Sequence, residues 1–262
     1  MLNGIDISHW QGRMDFSPYD FVIMKASEGD GYKDPMLDTH YDILHASRDG
    51  KPDKNKLYGF YHYARPDLGN SPESEADWFL SLVGAHVGTA IFALDWEGQS
   101  LRYSADWAHR WLKHIYEKTG VRPLIYMSAS EENTGKYNAI RDDNYGLWVA
   151  HYGVTSPRVK HWPFYAMWQK QGSPLDKDVF NGDKDAWRKY AASNATTEQP
   201  TSSIQIGDFV KVTTRTDYNG TENASWVMNA TFSVMQINRE RVVIGRNGQI
   251  TGAWHMDDLV KV

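Results

Sequence analysis

The chain has 262 residues, 41% of them hydrophobic and 23% charged, with a formal net charge of −5. That length accommodates one large domain and a small one, and the acidic balance argues against a general nucleic-acid binder. The absence of cysteine excludes disulfides, thiol nucleophiles and cysteine-ligated metals. No apolar run approaches the ~20 residues of a membrane helix. The first residues lack the basic and apolar regions of a secretory leader, so neither membrane insertion nor signal-directed export is expected.

Strand-like and helix-like segments alternate through about residue 185. Gly4-Ile-Asp-Ile reads as a first strand, Phe21–Ala26 as a second and Leu57–Ala64 as a third. The fourth is Ala90-Ile-Phe-Ala-Leu, an apolar run of the kind buried on both faces of a parallel sheet. Pro123–Met127, Leu147–Ala150, Phe164–Gln169 and Lys177–Phe180 complete eight. Between them, Pro72–Val83 is a helix capped by Ser71, with proline at its first position and Glu73 and Glu75 in its first turn. Residues 104–118 form another: Ser104 caps it, Trp107, Trp111 and Ile115 fall four apart, and Gly120 ends it. After Tyr126 the helical pattern fades. The expected fold class is α/β, a flattened, partly helix-depleted TIM-like β/α barrel over residues 1–188.

From Ala191 the composition turns small, polar and proline-broken, so residues 189–203 read as a flexible linker. Residues 204–262 show short alternating segments: Phe209–Val212, Trp226–Met228, Phe232–Ile237, Arg241–Ile244 and Asp258–Val262. Asn219-Gly and Asn247-Gly punctuate them, which suggests a small all-β barrel. Its six basic and six acidic residues cancel, so it is no electrostatic phosphate binder.

Chemistry concentrates at the end of the fourth strand. Asp95 and Glu97 are two apart, so both side chains leave one face, ~6.6–6.8 Å apart along the backbone. Two carboxylates at the end of a greasy strand are costly unless used or satisfied. They read as a catalytic acid pair, as a Mg²⁺ or Ca²⁺ site, or as solvated acids. Asp6, ending the first strand, and Asp176, at the turn into the eighth, would bring four carboxylates to one barrel mouth, raising at least one pKa toward neutrality. A blander role for Asp6 is a bond to backbone or to Lys25. Lys25 and Glu28 read as structural ion partners. The ten histidines show no metal spacing, so no metal or cofactor is expected.

Gly4-Ile-Asp-Ile-Ser-His-Trp-Gln-Gly resembles the opening of glycoside hydrolase family 25, the lysozymes of bacteria and their phages. Phe21-Val-Ile-Met-Lys-Ala-Ser-Glu-Gly, Tyr58-Gly-Phe-Tyr-His-Tyr-Ala-Arg-Pro, Asp95-Trp-Glu97, Leu147-Trp-Val-Ala-His-Tyr and Trp168-Gln continue the likeness. The family's Asp-Leu-Asn stands here as Asp176-Lys-Asp, which leaves open whether Asp176 or Asp178 faces the site. The resemblance implies a muramidase cutting the β-1,4 bond between N-acetylmuramic acid and N-acetylglucosamine in peptidoglycan. It implies Glu97 as general acid/base and Asp95 as its partner, acting through substrate assistance or direct attack. Asp6 and Asp176 would support the pair, and Tyr61, Tyr126 and Trp168 would line the substrate groove. The tail resembles bacterial Src-homology-3-like wall-binding modules, through Ile206-Gly-Asp-Phe-Val-Lys-Val and Ile250-Thr-Gly-Ala-Trp-His. Together these imply a phage endolysin made in the host cytoplasm and released to the wall through a holin. A bacterial autolysin and a non-catalytic wall-carbohydrate binder are the alternatives.

Overall fold

The computed structural model describes residues 1–46, 56–193, 204, 206–238, 241–246 and 248–261. Residues 194–203, most of the expected linker, lie outside the described residues. The chain divides into two compact units, Met1–Thr196 and Thr197–Val262. Among the described residues no helix is long and apolar enough to cross a membrane.

In the first unit eight strands close into a ring. They are β1 (Leu2–Ile7), β2 (Phe21–Glu28), β4 (Leu57–Tyr63), β5 (Ile91–Asp95), β6 (Leu124–Ser128), β7 (Gly146–Ala150), β8 (Met167–Gly172) and β9 (Asp176–Phe180). A two-residue strand, β3 (Tyr32–Lys33), pairs onto β2 outside the ring. Pairing is parallel from β1 through β8, and β9 runs antiparallel to both β8 and β1. The expectation of an all-parallel sheet therefore fails at its last strand. Only residues 173–175 separate β8 from β9, and a parallel crossover needs a dozen or more residues. A hairpin is the only connection that fits.

Side chains alternate across each strand and so split into two layers. Those facing inward include Leu2, Phe21, Ile23, Leu57, Ile91, Ala93, Leu124, Met167 and Phe180, a dry plug in the lower barrel. Those facing outward include Val22, Met24, Phe60, Phe92, Leu94, Ile125 and Val149, which pack under the helices. α2 (Pro72–Val83) and α3 (Ala105–Thr119) form where their caps dictate: Ser71 accepts from the Ser74 amide, Ser104 accepts from the Asp106 amide, and Gly120 ends α3 in the left-handed conformation. Phe79 of α2 and Trp111 of α3 are fully buried against the sheet, each worth about 1.5–3 kcal/mol of burial. α1 (Leu37–His45), which the sequence pattern did not reveal, has no side-chain cap. α6 (Lys184–Ala191), also unforeseen, reaches into the segment read as linker. Its Trp187 is fully buried between Phe21, with ring centroids 4.6 Å apart, and Phe180, at 5.0 Å.

The helical layer thins after β6, as expected, to α4 (Ala129–Glu132) and α5 (Asn138–Asp142). A carboxylate supports the long loop before β8 instead. Glu132 is fully buried and accepts the backbone amides of Lys160 (2.9 Å), His161 (2.6 Å) and Trp162 (3.0 Å). This anchoring also explains why the seventh strand starts at Met167 rather than Phe164: residues 160–162 are held off the sheet and Phe164 stays exposed.

The second unit is an antiparallel sheet ordered β13-β12-β11-β10-β14, from β10 (Phe209–Val212), β11 (Phe232–Asn238), β12 (Arg241–Arg246), β13 (Gln249–His255) and β14 (Leu259–Lys261). Val210, Val212, Phe232, Val234, Val242, Ile244, Trp254 and Leu259 form its core. The segment Trp226–Met228, read as a strand, is part of a 3₁₀ turn at Val227–Asn229, and β13 replaces it as the fifth strand.

Replacing Glu132 by Ala leaves three amide donors without their acceptor, that of Trp162 buried, and should cost about 3 kcal/mol of stability. Denaturant unfolding of the full chain followed by tryptophan fluorescence checks this, with Glu132→Gln recovering part of the loss. A change below 0.5 kcal/mol would show the loop to be held by other contacts.

Candidate active site

The site begins with a lock on the residue between the two acids. Trp96 is fully buried outside the ring, where its indole donates to the Tyr137 hydroxyl (3.1 Å) and stacks with Trp107 at 5.6 Å. Its amide donates to the Tyr126 carbonyl (3.0 Å), extending the strand pairing one residue beyond β5. With Trp96 fixed outward, Asp95 and Glu97 must both face inward. Gly98 then turns the chain away at φ 59°, and a β-carbon there would meet the Tyr63 hydroxyl at 2.7 Å.

The two acids open into a pocket of about 190 Å³ lined by Asp6, Tyr61, Asp95, Glu97, Tyr126, Trp148, Tyr152, Gln169 and Asp176. All four predicted carboxylates are there, with Tyr61 and Tyr126. Asp176 arrives because β9 is reversed: as the strand's first residue it would lie at the far end of a parallel strand, and the hairpin places it at the mouth. Asp178, two residues on, is fully buried below it and accepts the Trp148 indole N–H (2.9 Å). Asp176 thus faces the pocket and Asp178 supports its floor.

Trp168 is a correction. It is an even-numbered neighbour of inward-facing Gln169, so it points outward, packs with the outer layer and donates its indole N–H to the His151 carbonyl (2.9 Å). Trp148, Tyr152 and Gln169 line the pocket instead. Gln169 was legible in principle, as an amide two residues from the apolar, inward-facing Met167. It donates to Asp6 at 2.6 Å and accepts from Tyr126 at 2.8 Å. Asp6 is therefore bonded to Gln169, not to Lys25, whose ammonium meets Glu28 at 2.7 Å. Arg65 holds the other Glu28 oxygen.

Burial and crowding push the whole set toward the neutral form. Asp6 rises to about 7, chiefly by burial and then by the charge of Asp176. Asp95 goes well above the carboxylate range through burial and then repulsion from Glu97. Glu97 is raised by burial and by Asp176, with Lys25 pulling the other way. One oxygen of Asp95 is buried without a hydrogen-bond partner. Such a set holds protons near neutral pH and has an acceptor waiting for a donor. General acid chemistry needs both. Among the described residues no three His, Cys, Asp or Glu side chains are arranged to hold a metal ion.

The sequence model of glycosyl hydrolases family 25 matches residues 5–179. The chain belongs to that family. As a family 25 member it is a glycosidase of the lysozyme and muramidase type. Lysozyme M1 of Streptomyces globisporus is 30% identical over 223 residues, 74% of this chain and 72% of that protein. The bacterial lysozyme structure from Streptomyces coelicolor gives a TM-score of 0.63 at 27% identity, covering 72% of this chain and 96% of that one. The catalytic domain of endolysin ply40 from bacteriophage P40 of Listeria monocytogenes gives 0.54 at 25%, covering 73% and 97%.

A larger cavity of about 780 Å³ lies where strands β6 to β8 begin, lined by Arg122, Arg141, Lys160 and Trp162 among others. It has a single carboxylate, Asp142, which pairs with Arg141 at 2.7 Å. The clustered carboxylates thus lie in the smaller pocket, at the strands' other ends.

Raised carboxylates bind more protons in the folded than in the unfolded chain, so stability falls as pH rises through their folded values. Asp95 and Asp178 lie well above their ordinary range. His62, lowered by burial, acts in the opposite sense only below its ordinary 6.5. Between pH 7 and 9 the thermal midpoint of the full chain should therefore fall, and Asp95→Asn should flatten the slope. A midpoint that rises across this window in calorimetry would contradict the assignment.

Proposed function

We propose that this family 25 glycosidase cleaves the β-1,4 bond between N-acetylmuramic acid and N-acetylglucosamine, with Glu97 protonating the leaving oxygen. The carrying observation is Trp96, locked outside the ring so that Asp95 and Glu97 enter one buried, proton-retaining pocket. In this reading the substrate's 2-acetamido group attacks the anomeric carbon. The unpartnered oxygen of Asp95 accepts its N–H and stabilises the positive charge that develops. Asp6 and Asp176 hold the field around the pair. Tyr61 and Tyr126 contact the sugar, joined by the half-exposed Tyr152. Direct attack by Asp95 is the competing route and needs the two carboxyl groups ~5–5.5 Å apart.

The barrel is read as a TIM-like fold with its last strand reversed, the segment after α6 up to residue 203 as a tether, and residues 204–262 as a Src-homology-3-like wall-binding module. A weak wall binder tethered to a hydrolase raises its local concentration on the substrate. The likeness to a phage endolysin's catalytic domain supports a lytic role at the end of an infection cycle, with release through a holin-made opening.

Glu97→Gln keeps the volume but cannot deliver a proton, so lysis of purified cell walls should drop about 10²–10⁴-fold with unfolding unchanged. A variant retaining a tenth of the activity would remove Glu97 from that role. Residues 1–196 alone should cut soluble peptidoglycan fragments at near the full-chain rate and lyse whole cells more slowly. Equal rates on whole cells would set aside the wall-binding role of the tail.

A further inference from the structure

Asp178 has a proton problem that its surroundings solve in one way. It is fully buried on β9, and its Oδ1 accepts the Trp148 indole N–H. Its Oδ2 is buried too and receives no N–H or O–H from any described residue. An ionised carboxylate oxygen left bare in the interior is among the costliest arrangements a protein can hold. The group within hydrogen-bond reach is another carboxyl, that of Asp6 on β1.

The neighbours decide which of the two carries the proton. Gln169 takes the hydroxyls of both Tyr126 and Tyr152 on its carbonyl oxygen. Its amide nitrogen is thereby committed to donating, and it donates to Asp6 Oδ2 at 2.6 Å. Asp6 is the group built to accept. The bare oxygen of Asp178 is the one that lacks a proton donor and must supply its own.

We propose that Asp178 is a positioning residue that stays protonated at neutral pH and donates its O–H to Asp6, fixing the Asp6 carboxylate at the pocket floor. The titratable groups facing the pair are acids and a phenol: Asp176 on the same strand, Asp95 and Glu97 from β5 and its continuation, and Tyr61 on β4. The other facing groups, Tyr126, Tyr152, Gln169 and Trp148, are neutral hydrogen-bonders. Loss of the Asp178 proton would set two buried anions side by side, turn Asp6 away from Gln169 and loosen the mouth. Asp178 thus sets the alkaline limit of the site without touching substrate.

The proposal rests on the glycosidase reading only for its kinetic test. Asp178→Asn replaces the O–H donor by an amide N–H and keeps a carbonyl for Trp148; Asp178→Leu removes both. The pH profile of wall lysis is measured for the wild-type full chain and both variants, alongside infrared spectra at pH 7. The wild type should show a protonated-carboxyl C=O component, beside that of Asp95, that Asp178→Asn removes and Asp95→Asn leaves in place. Asp178→Asn should retain the lysis that Asp178→Leu loses, and its alkaline limb should move up by about one pH unit, since its donor does not titrate. An Asp178→Asn profile superimposable on the wild type, or an unchanged infrared band, overturns the proposal. If the wild type cleaves no glycan the lysozyme reading fails, while the infrared comparison still decides the state of Asp178.

Discussion

The reversal of the closing strand is the constraint on which the site depends. Seven parallel strands present their C-terminal ends to one mouth, and an eighth parallel strand would have placed its leading residues at the opposite end. The three-residue hairpin between β8 and β9 makes β9 return antiparallel. Asp176 and Asp178, its first and third residues, then enter the mouth beside Asp6 of β1. Four carboxyls in one pocket and a fifth beneath it follow from that one short connection.

The dry lower barrel and the wet upper barrel depend on each other. Below, apolar side chains from the ring pack together with Trp187 in one buried cluster. Above, the inward positions are acids, tyrosines and an amide, with Gln169 joining Asp6, Tyr126 and Tyr152. Buried polar networks of this kind are stable only when each member is satisfied by a partner or by a proton. Burial above the apolar plug desolvates Asp6 and Asp178 and pushes both carboxyls upward. The same desolvation raises Asp95 and Glu97 above their ordinary values. Stability and reactivity thus draw on one source, and the raised acids cost stability as pH climbs.

Much of this was legible in the chain. The caps at Ser71 and Ser104 set two helices close to where they were expected, because capping is a local interaction between residues two or three apart. The buried run before Asp95, and the shared face of Asp95 and Glu97, follow from strand periodicity alone. α1 (Leu37–His45) has no side-chain cap and rests on packing of Leu37 and Leu44, while α6 went unforeseen although the Asp183 side chain caps it by accepting from the Ala186 amide. Trp168 was assigned to the groove by the family resemblance, and only the register of β8 shows that Gln169, not Trp168, faces inward.

By itself the sequence determined the acids, their spacing on one strand, the alternation of strand and helix, and the change of composition near residue 191. Those are properties of near neighbours along the chain. The tertiary structure alone decided that β9 runs backward, that Asp6 answers to Gln169 rather than Lys25, and that Asp178 lies under Asp176. Each of these depends on groups brought together from distant parts of the chain, Asp6 and Gln169 being 163 residues apart. Proton placement in a buried cluster depends on every donor and acceptor around it, and no local pattern in a sequence encodes that set.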